Sequence, residues 1–257
     1  MLPAINTPLN NRQQPVHPAV TPEPEYCPTE ITQLKESGYI RLSSGNAIAF
    51  LDVAPVGPDY LPGHAHADTL SFELSVFGRR VIVNGGTSRY GVGPERLRER
   101  ETRSHSTVEV GGESSSEVWS SFRVARRAKP FALGTRETAN YLEVSCRHDG
   151  YTRLPGKPIH SRNWRMTTAG LQVIDSVSGK LPALARFILH PDIGIDALEV
   201  NTWTLHLHGE KSLNVLVTEG ISHIEAAWYA PEFGKVLPTQ CLVVDLIQGQ
   251  AVTTFSW

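Results

Sequence analysis

Apolar and polar residues alternate along most of the chain after Gly38, and apolar residues do not recur every three or four positions. Alternation of this kind is typical of strands that bury one face. It predicts strands over residues 39–42, 47–53, 70–76, 80–83, 107–110, 118–125, 141–146, 163–168, 171–176, 185–190, 197–208, 213–217, 223–229, 241–246 and 252–257. Turn residues such as Asp149-Gly150 fall about every ten residues, which indicates an all-β sandwich or barrel.

The two ends of the pattern differ from the rest. Residues 1 to about 30 hold seven prolines among many Asn, Gln and Thr residues. This composition predicts a disordered or extended leader over residues 1–36, followed by one β domain over residues 37–257. A strand-capping arm is the alternative for the leader. Residues 95–101 are the only helix-like stretch, and because nearly all of them are charged we interpret the stretch as a solvated face.

Composition and charge exclude several classes of protein. A chain of 257 residues can bury a sizeable core without a disulfide or metal. A formal net charge of −2 argues against binding duplex nucleic acid. We expect no membrane span, because no run of about 18 apolar residues is present. The first residues lack the basic-then-apolar pattern of a secretion signal. The three cysteines, Cys27, Cys146 and Cys241, are too far apart to predict a metal knuckle.

The densest polar cluster is Gly63-His-Ala-His-Ala-Asp68. On a strand, His64, His66 and Asp68 would project from one face, with alternate Cα atoms about 7 Å apart. Two imidazoles and a carboxylate are ligands that suit zinc. An HxH pair alone is a weak signal, because exposed histidines are common in β-sandwiches.

Two further residues strengthen this interpretation. Asn84 ends an apolar run before Gly85-Gly86, and His105 precedes the strand at 107–110. We expect His66, Asn84 and His105 to converge from three neighbouring strands. A cupin site also starts with HxH, but it needs a glutamate three or four residues later. Here Glu73 follows His66 with six residues between them, which places it on the opposite face of a strand.

Several blocks of sequence occur in the order of one known family. The stretch GHAHADTLSFELSVFGRRVIVNGGTSRYG (residues 63–91) resembles the heparinase II/III-like family pattern G-H-x-H-A-D-x-L-S-F-x-L, G-R, D-x-G-T and Y-G. Residues 100–107 resemble R-x-T-x-x-H-N-T, residues 117–124 resemble E-x-W-x-x-F-R-V, and residues 148–151 read HDGY. Residues 187–191 resemble a strand ending in L-H-P. The similarity extends from about residue 37 to the C-terminus.

This resemblance implies a fold, a metal and a cleft. Lyases of the family join an α/α toroid to a C-terminal antiparallel β-sandwich that holds a structural zinc. The positions that match the zinc ligands are His66, Asn84 and His105. Those that match catalytic-cleft residues are His64 and Tyr90. We therefore expect a large antiparallel β-sandwich with few or no helices.

The chain departs from the family pattern at two positions. Asn84 stands where an aspartate is usual, so the site loses a negative charge and zinc binding is expected to be weakened. Asp68 is a further carboxylate that would compensate if it lay near the ligands. Ser106 replaces an asparagine, which we expect to matter little.

The resemblance implies β-elimination on an acidic polysaccharide that contains uronic acid. The C5 proton must be removed, the carboxylate neutralised and the C4 oxygen expelled. His64 is a candidate carboxylate neutraliser or base, and Tyr90 a candidate base or acid. Arg100 and His148 are candidate substrate-binding residues. Alternatively, Arg100 is a solvated loop charge and His148 stabilises a turn.

The family's cleft also needs residues from the toroid, and we expect no toroid within these 257 residues. Three interpretations follow: a lyase sandwich whose toroid is encoded separately, a non-catalytic module that binds acidic glycan or is stabilised by zinc, or a weak lyase using His64 and Tyr90 alone. The first is our leading hypothesis. The resemblance implies a periplasmic or extracellular location, although we see no signal peptide.

Overall fold

The computed structural model describes residues 27–58, 60 and 62–257, within which the chain forms two large sheets and a separate hairpin. The strands are β1 (Cys27–Leu34), β2 (Tyr39–Gly45), β3 (Ala47–Asp52), β4 (Phe72–Val76), β5 (Arg79–Val83), β6 (Val108–Val110), β7 (Glu117–Trp119), β8 (Arg123–Ala125), β9 (Pro130–Glu137), β10 (Leu142–His148), β11 (His160–Thr167), β12 (Gly170–Val177), β13 (Ala183–Leu189), β14 (Gly194–Glu199), β15 (Thr202–His206), β16 (Ser212–Glu219), β17 (Ile221–Tyr229), β18 (Leu237–Asp245) and β19 (Gln250–Ser256). Helix α1 is Pro94–Arg100, and single 3₁₀ turns lie at Pro62–His64 and Thr102–Ser104. No helix in the described ranges is long and apolar enough to cross a membrane.

The two sheets are antiparallel throughout. The first has the order β1-β2-β3-β4-β5-β13-β18-β17, with β6 also paired to β13. The second has the order β14-β15-β16-β19-β12-β11-β10-β9, and β7 pairs with β8 in a two-stranded sheet. The prediction of a large antiparallel β-sandwich with few helices is confirmed. Strands β2 and β3 form a hairpin about Gly45 and Asn46.

The core lies between the inner faces of the two sheets. Phe72 and Phe187 of the first sheet meet Trp164 and Phe255 of the second, with ring centroids 6.4 Å apart for Phe72–Trp164 and 5.4 Å for Phe187–Phe255. All four side chains are buried, and burying an apolar side chain of this kind contributes roughly 1.5–3 kcal/mol. Alternation in the sequence therefore reflects one buried face per strand.

The first sheet begins earlier than the composition indicates. Strand β1 pairs with β2, and the Ile31 amide N–H donates to Glu137 of β9 at 3.1 Å. Residues 27–34 of the predicted leader are thus an edge strand, as in the alternative of a strand-capping arm. Residues 1–26 lie outside the described residues. A polar edge strand is bound by backbone hydrogen bonds, which counting apolar residues does not detect.

The inner face of the second sheet is ionic at one end. There a hydrogen-bonded chain of four buried side chains crosses β10, β11 and β12. His148 Nε2 lies 3.0 Å from His160 Nδ1, and His160 Nε2 lies 2.8 Å from Asp175 Oδ1. Arg162 donates from Nε to Asp175 Oδ1 at 2.7 Å and from Nη2 to Oδ2 at 2.9 Å. Strand register produces these pairs, because His148 faces His160 and Arg162 faces Asp175.

Both histidines of this hydrogen-bonded chain, His148 and His160, are neutral at neutral pH. Burial, followed by the neighbouring His160 and Arg162, lowers the pKa of His148 well below its ordinary value, and burial also lowers the pKa of His160. Burial acts to raise the pKa of Asp175, but Arg162 and His160 outweigh it and lower that pKa to about 2. The Gly150 amide donates to His148 Nδ1, so each ring is assigned the tautomer that donates from Nε2. Arg162 and Asp175 thus form a compensated pair with two neutral donors beside it.

Replacing His148 by Gln is expected to flatten the pH dependence of stability. A histidine whose folded pKa lies below its unfolded value of about 6.5 contributes stability above that pH, and this contribution is lost as pH falls toward the folded pKa. Urea unfolding of metal-free protein at about pH 7.5 and 5.5 should show a smaller fall for His148→Gln than for the parent, by up to about 1.4 kcal/mol per pH unit. The exposed His206, as His206→Gln, is the control. Equal pH dependence in the parent and His148→Gln would contradict the neutral assignment.

Candidate functional site

The site is built from three segments at the end of the first sheet where β4 starts and β5 finishes. They are the loop after the 3₁₀ turn Pro62–His64, the glycine turn after β5, and the region from α1 to His105. The Gly85 amide donates to the Ser104 carbonyl at 2.8 Å, which joins the second segment to the third. Gly86 has φ +76°, and a Cβ there would lie 2.1 Å from the Ala230 carbonyl oxygen, so this turn requires glycine.

The expectation that His64, His66 and Asp68 lie on a strand is wrong. His64 ends a 3₁₀ turn and the other two lie in a loop. The Ala67 amide donates to the Arg100 carbonyl at 2.9 Å, and its carbonyl accepts from Thr102 Oγ1 at 2.6 Å. Backbone groups that a strand would pair within a sheet are therefore bonded to the region around α1. The three polar side chains nevertheless alternate with buried alanines and face away from them.

His66, Asp68 and His105 form a compact cluster. One ligand-type atom from each lies within 4.8 Å of those of the other two. His66 Nδ1 is 3.2 Å from His105 Nε2. Burial, then the neighbouring His105 and Arg96, lowers the pKa of His66 well below its ordinary value. Burial also lowers the pKa of His105, so both rings are neutral at neutral pH.

This cluster fits a divalent metal by the chemistry of its donors. Two neutral imidazoles and a carboxylate are the ligands that zinc takes in three-ligand sites. Zinc–nitrogen bonds of about 2.0–2.1 Å in a tetrahedron place two nitrogens about 3.3 Å apart. The separation of 3.2 Å between His66 Nδ1 and His105 Nε2 agrees with that geometry. The residues that would hold the metal are His66, Asp68 and His105.

Asn84 lies beside the cluster with both ends of its amide bonded. Its Oδ1 accepts from the Ser106 amide at 2.9 Å, and its Nδ2 donates to Ser71 Oγ at 3.2 Å. The structure therefore brings together part of the set of metal ligands predicted from the sequence. His66 and His105 lie close together as expected, whereas Asn84 bonds to Ser106 and Ser71. The carboxylate in the cluster comes from Asp68.

His66 is held on its other side by Arg96, a residue that the sequence analysis assigned to a solvated face. Arg96 Nη1 lies 3.1 Å from His66 Nε2 and 3.3 Å from Thr87 Oγ1. The Arg96 guanidinium also lies 5.4 Å from the ring centroid of Tyr90. Arg96 and Arg100 are one helical turn apart on the inner face of α1. Their i, i+4 spacing was the signal in the sequence for a shared face.

His64 and Tyr90 form an exposed pair beside the cluster. Their ring centroids are 5.3 Å apart in an edge-to-face arrangement. Tyr90 also contacts Phe122 at 5.8 Å and Phe233 at 5.1 Å between centroids, and both phenylalanines are exposed. The predicted catalytic residues are therefore adjacent, and an aromatic surface (Tyr90, Phe122 and Phe233) borders them.

A cleft of about 380 Å³ lies on the other side of His64. Its polar lining includes Tyr39, Asp52 and Asp68 together with His64 and His66. Burial, followed by the charge of Asp68, raises the pKa of Asp52 well above its ordinary value. A slightly larger cavity of about 450 Å³ lies around Glu101, Arg103, Glu113, Glu117 and Arg153, among other residues. Its charged side chains pair with one another, whereas the smaller cleft contains the histidines.

The two predicted substrate-binding residues are fully buried. Arg100 donates from Nε to the Ala65 carbonyl at 3.0 Å and from Nη1 to the Ser121 carbonyl at 3.3 Å. Burial and the nearby Arg96 lower the pKa of Arg100 to about 10. His148 belongs to the ionic chain inside the sandwich. In this structure neither side chain reaches the surface at His64.

Comparison with known proteins agrees with this fold and this set of motifs. The family model described as "Heparinase II/III-like, C-terminal" matches residues 28–257. No curated protein matches the sequence. Among solved structures, heparan sulfate lyase HepC from Pedobacter heparinus is 17% identical with a TM-score of 0.71, over 88% of this chain and 36% of the lyase. A crystal structure of heparinase III is 16% identical with a TM-score of 0.71, over 89% and 36%.

A third structure, of the heparinase III product of BT4657, is 15% identical with a TM-score of 0.70, over 91% of this chain and 36% of that one. At such identities the likeness shows the fold. The chain spans 36% of the length of each of these lyases. Because the family model covers the two sheets and every segment of the site, this chain belongs to the heparinase II/III-like C-terminal family.

Proposed function

We propose that this chain is the sandwich part of a polysaccharide lyase that cleaves uronic-acid-containing polysaccharide by β-elimination, together with an α/α toroid. The observation that carries the proposal is the contact of His64 with Tyr90 at the exposed edge of the His66–Asp68–His105 cluster. The likeness to heparan sulfate lyases supports an acidic glycan as the substrate.

The proposed roles follow from the chemistry of elimination. Loss of the C5 proton leaves charge on the uronate carboxylate, and cleavage of the C4–O bond creates a C4=C5 double bond. His64 neutralises the carboxylate, and Tyr90 transfers the proton as base or acid. The toroid supplies the remaining proton-transfer group.

The charges around Tyr90 support an acidic substrate on that side. Arg96 and Arg100 form no ion pair with a carboxylate within the described part of the chain, and one terminal nitrogen of each has no hydrogen-bond partner there. Two guanidiniums without a direct ion pair lie behind Tyr90, and Glu99 offsets part of the charge of Arg96. The remaining positive charge produces a field that attracts an anion. Asp68 lines the cleft on the other side of His64, and its charge would repel a carboxylate, so we place the uronate on the Tyr90 side of His64.

We assign zinc to the cluster in a structural role. When bound, the metal would link the loop that carries His66 to the segment before β6. It would thereby hold the neighbouring His64 toward Tyr90. His66, Asp68 and His105 are the proposed ligands, and Asn84 acts through the Ser106 amide.

A non-catalytic glycan-binding module is the second candidate. The exposed rings of Phe122 and Phe233 favour it, because aromatic faces stack on sugar rings without any chemistry. This candidate predicts retention on acidic polysaccharide without turnover, whereas the lyase predicts an unsaturated product.

His64→Ala and Tyr90→Phe should each lower lyase activity by about 100-fold or more, because each removes a proton-transfer or charge-stabilising group. The measurement is the ultraviolet absorbance of the 4,5-unsaturated product, on a panel of heparin, heparan sulfate and alginate. The chain is assayed with a toroid domain. Tyr141→Phe, immediately before β10, is the matched control and should leave the rate unchanged. No product from the parent on any polymer would refute the lyase.

Asn84→Asp should tighten zinc binding by about tenfold, because it adds a negative charge beside the cluster. The measurement is competition with a chromophoric chelator on protein purified without chelators. Asp68→Asn should weaken binding, and Asn140→Asp, in the turn between β9 and β10, should leave it unchanged. Unaltered affinity in Asp68→Asn would remove this carboxylate from the ligand set.

Phe233→Ala should weaken retention on immobilised heparin, because it removes the most exposed ring of the aromatic surface. The expected loss in affinity is about threefold to tenfold, corresponding to about 0.5–1.5 kcal/mol. Affinity electrophoresis provides the measurement. Leu198→Ala, an exposed apolar residue on β14, is the matched control. Unchanged retention in Phe233→Ala together with loss in His64→Ala would confine binding to the histidine.

A further inference from the structure

The proposed chemistry does not use the buried hydrogen-bonded chain of side chains on β10–β12. Its last member, Arg162, nevertheless contacts the segments that form the site. Arg162 Nη1 reaches across to the first sheet and donates to two backbone carbonyls, that of Leu70 at 2.9 Å and that of Ser106 at 2.7 Å. These acceptors lie two residues after Asp68 and one residue after His105. One nitrogen atom therefore bonds to both segments that carry proposed metal ligands.

The Leu70 backbone has an uncommon conformation. Its φ is +62°, in the left-handed region that a leucine rarely occupies. Strain of this kind persists where the surroundings impose it. The Leu70 amide donates to the Asp52 carbonyl at 3.1 Å, and the next amide, that of Ser71, donates to the Asp68 carbonyl at 2.8 Å. With Arg162 on the Leu70 carbonyl, the turn after Asp68 is held from both sides.

Ser106 is bonded at three further points. Its amide donates to Asn84 Oδ1, its hydroxyl donates to the Val83 carbonyl at 2.7 Å, and the same hydroxyl accepts from the Ile188 amide at 3.0 Å. These bonds attach Ser106 to the first sheet. Arg162 adds a bond from Ser106 to the second sheet, and the same Nη1 atom also bonds to the segment that carries Asp68.

Only an arginine can form this set of bonds. Its Nε and Nη2 bind Asp175 in a fork, while Nη1 remains free for two carbonyls. A lysine ammonium is a single point and cannot bind the Asp175 carboxylate in a fork and the two carbonyls at the same time. The guanidinium carbon lies 5.6 Å from the ring centroid of Phe72 and 5.9 Å from those of Trp164 and Phe187, so the fork is fixed laterally.

We propose that Arg162, oriented by Asp175, is a positioning residue that sets the separation of Asp68 and His105 and builds the ligand cluster before any metal binds. The zinc readout below rests on the proposed metal site. A second readout on metal-free protein does not, so failure of the zinc assignment and failure of this proposal are distinguishable.

The test compares Arg162→Lys with Val215→Ala, a buried core variant on β16, three strands away from β11 in the second sheet. Zinc affinity is measured by chelator competition. The His66–His105 contact is measured on metal-free, nitrogen-15-labelled protein through the imidazole nitrogen signals. Thermal unfolding establishes that both variants are folded and how far each is destabilised.

We expect Arg162→Lys to weaken zinc binding by about tenfold or more and to shift the His66 and His105 nitrogen signals. Val215→Ala should leave the zinc affinity within about twofold of the parent and the nitrogen signals unshifted, despite a lower Tm. Zinc affinity within twofold and unshifted nitrogen signals in Arg162→Lys would overturn the proposal. So would equal changes in Val215→Ala, because general destabilisation would then explain them.

A second variant covers the case in which Arg162→Lys does not fold. Asp175→Glu keeps the ion pair but moves the guanidinium by one methylene, and it should shift the nitrogen signals and weaken zinc binding by about threefold. A folded Asp175→Glu with unchanged signals would contradict the proposal. If the parent binds no zinc, the nitrogen signals alone decide.

Discussion

Arg162 places a positive charge in the interior of the sandwich, and the site depends on how that charge is compensated. Asp175 lies directly opposite on β12 and neutralises it, while two neutral imidazoles supply the adjoining hydrogen bonds. Removing one partner from a buried pair of this kind typically costs about 3–5 kcal/mol, because the other charge remains uncompensated. The end of the second sheet is therefore constrained to stay polar and electrically balanced.

The site follows from this constraint in a sequence of contacts. Register pairs Arg162 with Asp175, and Arg162 bonds to the carbonyls beside Asp68 and His105. Helix α1 then covers the loop, and Arg96 lies between His66 and Tyr90. The apolar core holds the sheets together, but this polar end determines where the loops lie.

The sequence predicted the strands well because most of them bury one face, and alternation reports that burial directly. It also predicted that His66 and His105 lie close together, since imidazoles are among the few side chains that suit a metal. It missed β1 and β9, whose pairing depends on backbone bonds, and it joined β7 to β8 and β14 to β15 as single strands over 118–125 and 197–208. It also missed the inward face of α1, whose charge suggested solvent. It placed Asn84 rather than Asp68 beside the histidines, because the left-handed turn at Leu70 and the contacts across the sandwich that accompany the observed cluster cannot be seen in the sequence.

Strand β1 has a practical consequence for the edge of the first sheet. Its polar residues pair with β2, which is buried on its inner face. If the chain were shortened to begin at residue 37, as its composition suggests, the whole of β1 would be lost and the hydrogen-bonding groups of β2 would lie open. An unprotected edge of that kind recruits strands from other molecules, so the proline-rich start of the chain leads directly into a strand that guards against aggregation.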